Sequence, residues 1–174
     1  MQRILSFLLA LERGLGQLED WVGIAAVAGL AIVVNLQIFA RYLFPSPFIW
    51  PEEIARLLLV WMTFVGAAAL ARRGGDLAVD TFVEMLPQLP RRALIMVRDA
   101  VMLVLFVFIS SQGFALSKAV AGMPLAATGL PTDLLAWPVV AGGALIAFHC
   151  ALRLLVMIAD PSANDRHILP KTLT

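Results

Sequence analysis

The sequence predicts an all-α integral membrane protein with four spanning helices. Of its 174 residues, 61% are hydrophobic and 14% are charged, with a mean hydropathy of +0.90. A soluble domain is about 45–50% apolar and about 25% charged, so too few polar side chains remain to cover a water-facing surface. Four apolar stretches each reach the length of about 20 residues that a helix needs to cross a bilayer. These stretches are continuous and do not alternate with a period of two, which excludes a spanning β-barrel. The same composition excludes a disordered chain. A net charge of +1 argues against nucleic acid as the main partner, and the single cysteine, Cys150, cannot close an internal disulfide.

Residues 2–18 read as an amphipathic N-terminal arm, with Ile4, Leu8, Leu11, Leu15 and Leu18 on one stripe. Glu12 and Arg13 stand where a signal peptide would carry small residues for cleavage. The four spans fall at about 21–40, 51–71, 94–116 and 134–158. Between spans two and three, Leu77, Val79, Phe82, Val83 and Leu86 interleave with Asp76, Asp80 and Glu84 until Pro87. That pattern predicts an in-plane helix on the cytoplasmic surface. One membrane domain, 1–160, is expected, followed by a polar C-terminal tail, 161–174.

Orientation follows from the positive charges. Ten arginines and lysines lie in the N-terminal arm, the second connection with its edges, and the C-terminal end; three (Arg41, Arg56 and Lys118) lie near the other two connections. The positive-inside rule therefore places both termini and the 72–92 connection in the cytoplasm. Trp21, Trp50 and Trp137 stand at span edges, where amphipathic rings anchor at the interface.

Catalytic and redox chemistry leave little trace. A haem pair needs two histidines at span depth, and only His149 qualifies. His149 and Cys150 are adjacent, so on a helix they point about 100° apart and do not easily share a metal ion. Asn35, Gln37, Thr63, Gln112 and His149 are polar at span depth and are expected to hydrogen-bond between helices. Ala25/Gly29, Ala67/Ala71 and Gly143/Ala147 are close-packing pairs four residues apart. Two readings stand side by side: internal packing of four helices, or faces that meet a second membrane protein.

The densest constellation is Arg41, Tyr42, Trp50, Pro51, Glu52, Glu53 and Arg56. Pro51 suits a first helical position, and Glu52 and Glu53 then sit in the first turn, where the helix dipole favours anions. Glu52 and Arg56 are spaced for an ion pair. Residues 57–71 cover only roughly 22 Å, less than the roughly 30 Å of hydrocarbon. The Arg41/Glu52/Glu53/Arg56 group must therefore lie at or just inside the membrane edge unless the helix tilts. It reads as a structural ion-pair cluster, a partner-docking surface or a proton or ion relay.

These residues resemble a known family. Arg41-Tyr42-Leu43-Phe44, Trp50-Pro51-Glu52-Glu53-Ile54-Ala55-Arg56, Trp61-Met62-Thr63-Phe64-Val65-Gly66-Ala67, Ala71-Arg72-Arg73-Gly74 and Val79-Asp80 are similar to the signature of the small membrane subunit of tripartite ATP-independent periplasmic (TRAP) transporters, the DctQ type. Gly129-Leu130-Pro131 and the span-four glycines also fit. Asp76 departs from the pattern, in which a histidine commonly follows the Arg-Arg-Gly turn; Arg72, Arg73 and Asp80 are retained.

The resemblance implies a non-catalytic scaffold subunit without cofactors of its own. Its partners would be a large membrane subunit, which holds the substrate path and the sodium ions, and a periplasmic substrate-binding protein that delivers an organic anion. The location would be the bacterial inner membrane. The competing readings are a small membrane enzyme or redox subunit, and a self-sufficient oligomeric transporter. The charge asymmetry generates a first prediction: cysteines introduced at Ser46 and Ala127 react with a membrane-impermeant thiol reagent added to intact cells. Labelling only after permeabilisation would reverse the topology.

Overall fold

The protein was analysed as a computed structural model, which describes residues 2–43, 48–73 and 88–159, with side chains over 11–43, 48–73 and 92–158. It is all-helical. Helix α1 is Gln2–Leu43, α2 is Trp50–Arg73, α3 is Gln88–Ala119, and α4 is Trp137–Ala159. A short 3-10 turn at Thr132–Leu135 leads into α4. Each of the four helices contains a stretch long and apolar enough to cross a membrane. The expected in-plane helix and the C-terminal tail lie outside the described residues.

The N-terminal arm and span one form a single helix of 42 residues. At 1.5 Å per residue α1 is roughly 63 Å long, about twice the hydrocarbon thickness. The two charges that precede Trp21, Glu19 and Asp20, mark where its continuous apolar segment begins. Pro51 sits in the first turn of α2, where its missing N–H costs no hydrogen bond, and it is fully buried.

The helices stand in a row, in the order α1, α2, α4, α3. Helix α1 packs along α2, α2 along α4, and α4 along α3, while α1 meets α4 only briefly. No Cα of α2 comes within 8 Å of one in α3 among the described residues. Lipid makes such a row possible. Apolar side chains gain nothing from leaving hydrocarbon, so helix association rests on close packing and polar contacts.

Small residues on α4 supply the close packing. Adjacent glycines face different neighbours: a Cβ on Gly142 would lie 2.6 Å from the Cβ of Phe64 and 3.1 Å from its backbone on α2. A Cβ on Gly143 would lie 3.3 Å from Ser110 Cβ and 3.4 Å from the Phe106 carbonyl on α3. On α3, Gly113 accepts Val139 and Val140 at similarly short range. Ala68, Ile146 and Cys150 form the buried centre of the α2–α4 contact. The Ser110 hydroxyl donates to the Val140 carbonyl at 2.9 Å and ties α3 to the first turn of α4.

Gly142→Ala should lower stability by about 1–3 kcal/mol, because the new methyl meets backbone that cannot rotate away. Gly66→Ala should not, since nothing lies within 4 Å of that position. Thermal unfolding of the two purified variants in one detergent checks the contrast.

Candidate functional site

Two polar regions occupy opposite ends of the row. One lies where α1 ends and α2 begins, beside the 120–131 loop. The other lies at the end where α2 and α4 finish.

At the loop end, the Glu53 carboxylate accepts three hydrogen bonds from the α3–α4 connection. The donors are the Ala127 amide at 2.9 Å, the Thr128 amide at 2.8 Å and the Thr128 hydroxyl at 2.8 Å. The loop is also braced from within. The Leu125 amide donates to the Leu130 carbonyl at 2.7 Å, and the Thr132 amide donates to the Met123 carbonyl at 2.9 Å. Gly122 and Gly129 take φ values of 82° and 68°, which side chains bearing a Cβ rarely adopt.

The four charges expected to cluster here are separated by the structure. Glu52 and Arg56 pair at 3.2 Å, with 65% and 58% of their side chains exposed. Such a pair is worth less than about 1 kcal/mol. Glu53 turns to the loop, and Arg41 makes no ion pair among the described residues. The physical reason lies in the first turn of α2: successive helical residues point about 100° apart, so Glu52 and Glu53 address different neighbours.

At the other end, charges from all four helices are interlocked. The Arg72 guanidinium donates to both Asp20 oxygens at 2.9 and 3.0 Å, to the Gly16 carbonyl at 3.3 Å and to Glu19 Oε2 at 3.3 Å. Arg73 adds a bond to Asp20 at 2.8 Å. Glu19, itself buried, reaches α4, where its Oε1 lies 2.8 Å from His149 Nε2. The other ring nitrogen of His149 stands 3.7 Å from Glu12. The His149 ring packs edge-on to Phe148. A second group joins α3 to α4: Asp99, 1% exposed, stands 3.1 Å from Arg98 Nε and 3.3 Å from Arg153 Nε.

The remaining residues singled out in the sequence fall on the periphery. Trp21, Trp50 and Trp137 are exposed near span ends. The Asn35 amide donates to the Ala31 carbonyl of its own helix at 2.7 Å, and the Thr63 hydroxyl donates to the Leu59 carbonyl at 2.7 Å. Both face outward, as does Gln112; Gln37 is half-buried. Asp80 lies outside the described residues. Among the described residues no group of three His, Cys, Asp or Glu side chains is arranged to hold a metal ion.

Glu12, Glu19, Asp20 and Asp99 were not among the sequence-derived site residues. Their signal was available: acids at one end of the spans of α1 and α3 stand opposite Arg72, His149 and Arg153 on antiparallel neighbours. Ionisable groups in a span are costly unless paired, so acids and bases at matching depth are candidate partners.

Comparison with known proteins converges on one family. Residues 30–160 match the family model for the DctQ component of tripartite ATP-independent periplasmic transporters. The chain belongs to this family. The chain is 27% identical over 139 residues to the sialic acid TRAP transporter small permease protein SiaQ of Vibrio cholerae, covering 80% of each protein. It is 27% identical over 135 residues to a putative TRAP transporter small permease protein of Haemophilus influenzae, covering 78% of this chain and 84% of that one. It also matches the sialic acid TRAP transporter permease protein SiaT of Haemophilus influenzae, at 30% identity over 78 residues, 45% of this chain and 13% of that longer one. The matched span includes Glu53, its loop, Arg72, Asp99, His149 and Arg153. The protein is therefore a multi-pass membrane protein of a transporter family.

The interlocked end generates a stability prediction. Arg72→Gln removes the countercharge of Glu19 and Asp20. Breaking a buried pair costs about 3–5 kcal/mol, and Arg72 is one-fifth exposed, so the lower end of that range is expected. Arg56→Gln breaks the exposed pair and should cost less than about 1 kcal/mol. Denaturation of both variants in the same detergent tests the difference, and equal losses would refute it.

Proposed function

We propose that this chain is the non-catalytic scaffold subunit of a TRAP-type secondary transporter. In this reading it forms a static wall beside a large permease subunit in the bacterial inner membrane. The large subunit carries the substrate path and binds the sodium ions that drive uptake. A periplasmic binding protein delivers the cargo, an organic anion. Both termini lie in the cytoplasm, and the Glu53-braced loop faces the periplasm.

The observation that carries the reading is where the charges go. Among the described residues, the buried ionic groups are gathered near one end, where they pair with one another across helices. That arrangement locks helices together; it does not line a route through the row. A carrier that moves one domain against another needs such a fixed partner. Gln112, outward-facing at span depth and without a hydrogen bond among the described residues, supports coverage of part of the row by protein, because lipid offers polar side chains no partner. The relative named for sialic acid, itself an organic acid, supports an anionic cargo.

The chain alone in liposomes should give no substrate uptake, and it should copurify with a larger membrane subunit. Glu53→Gln should lower uptake by the assembled system several-fold, because an amide replaces one of the two oxygens that hold Ala127 and Thr128. Each bond to a charged group is worth about 1.5–3 kcal/mol. Copurification with the large subunit separates lost assembly from lost docking of the binding protein. Uptake by the chain alone, or full uptake in the Glu53→Gln complex, would refute the respective part of the reading.

A further inference from the structure

We propose that the groove between α2 and α3 seats one anionic phospholipid, with its phosphate at Arg153 and an acyl chain along the apolar walls. The inference goes beyond the scaffold reading and does not depend on it. The groove exists because α2 and α3 flank α4 without meeting. It contains a cavity of about 100 Å³. Ala67 and Ala71 form one wall, Met102 and Phe106 the other, and Ile146 part of the floor.

Its polar end holds Arg98, Asp99 and Arg153. Asp99 engages both arginines through Nε, at 3.1 Å to Arg98 and 3.3 Å to Arg153. That leaves the terminal nitrogens of Arg153 poorly used. Nη2 has only the Cys150 sulfur at 3.9 Å, and Nη1 is buried with no hydrogen-bond partner; Nε and Asp99 Oδ2, though ion-paired at 3.3 Å, make no hydrogen bond either. A buried guanidinium nitrogen without an acceptor calls for one, and a phosphate oxygen matches guanidinium geometry.

The layout has the polarity of a lipid. The charged lining residues, Arg98 and Asp99 on α3 and Arg153 on α4, lie at one end of the groove, toward a membrane face, while Ala67, Phe106 and Ile146 lie deeper. Arg153 and Ile146 are seven residues apart, roughly 10 Å along α4, which spans a headgroup and the start of its chain. Basic pockets between helices near a membrane face bind anionic headgroups. A partner helix is the poorer occupant. An apolar helix brings no anion to Arg153. A choline headgroup would add a cation beside Arg153 and Arg98, so a lipid of net negative charge is favoured.

The test is native mass spectrometry of the full chain in delipidating detergent, titrated with phosphatidylglycerol or phosphatidylcholine. The wild-type protein should retain phosphatidylglycerol about fivefold better than phosphatidylcholine. Arg153→Gln should abolish that preference. Ala67→Leu, which leaves every charge in place and serves where Arg153→Gln does not fold, should lower retention of both lipids by filling the apolar half. Arg13→Gln, an exposed arginine on α1, should change nothing. Equal retention of the two lipids by the wild-type protein overturns the proposal. So does unchanged retention in both groove variants, or displacement of phosphatidylglycerol by inorganic phosphate. A cross-link from Ala67→Cys to a helix of the large subunit in the assembled complex would mean that protein fills the groove, and would overturn it as well.

Discussion

A charge taken out of water must meet an opposite charge, and in this chain that requirement aligns every helix. Arg72 joins α2 to α1 through Asp20 and Glu19. Glu19 continues to His149 and so joins α1 to α4. Asp99 and Arg153 join α3 to α4. Each helix of the row α1–α2–α4–α3 is thus held by at least one ionic contact, with Glu19 bridging from α1 past α2 to α4. Sliding any helix by one residue, about 1.5 Å, would strain at least one of these contacts. Helix packing alone would not give the same precision. Leucine against leucine is worth little more than leucine against lipid, and a row of smooth apolar helices would have many near-equal registers.

Close packing acts at the α2–α4 and α4–α3 junctions, toward the other side of the membrane. Gly142 and Gly143 let α4 approach α2 with one face and α3 with the other. The contact is tight enough that Phe64 at Gly142 and Ser110 at Gly143 approach with backbone as well as side-chain atoms, joined at Gly143 by the Phe106 carbonyl. The consequence is an open row and not a closed bundle. Among the described residues both faces remain apolar and accessible, and much of α1 is exposed: Trp21, Ile24, Ile32, Phe39 and Tyr42 all point outward. A shape with two free faces suits a member of a family whose chains are permease components better than it suits a molecule that works alone.

At the far end the chain solves a different problem. The α3–α4 connection begins with twelve residues, 120–131, ahead of its 3-10 turn, with two glycines at positive φ. Left to itself such a segment would sample many shapes. Glu53 removes much of that freedom by capturing two successive amides and a hydroxyl. Pro51 and Glu53 thereby serve different ends within one turn of helix. Pro51 starts α2 buried against the protein, and Glu53 hands its carboxylate to a loop 74 residues away in sequence.

The amino-acid sequence by itself determined the class of the protein. Continuous apolar runs can only be spanning helices, because lipid satisfies no backbone group, and the positions of the four helices follow from that alone. The block from Arg41 to Asp80 carried the family, since unrelated residue types recur there in order. Pairing was less accessible. Glu52 and Arg56 were legible as partners because their spacing is local to one helix. The destination of Glu53 was not, because the loop that it holds is remote in sequence. His149 was legible as a polar residue at span depth, yet Glu19 was not legible as its partner, and Asp99 looked like part of an apolar span. The order of the helices decided these matches. Hydropathy measures how each helix meets lipid, not which neighbour it faces. Only the tertiary arrangement, set by which small residues allow two backbones to approach and which opposite charges then fall at one depth, brought Glu19 to His149 and Asp99 to Arg153.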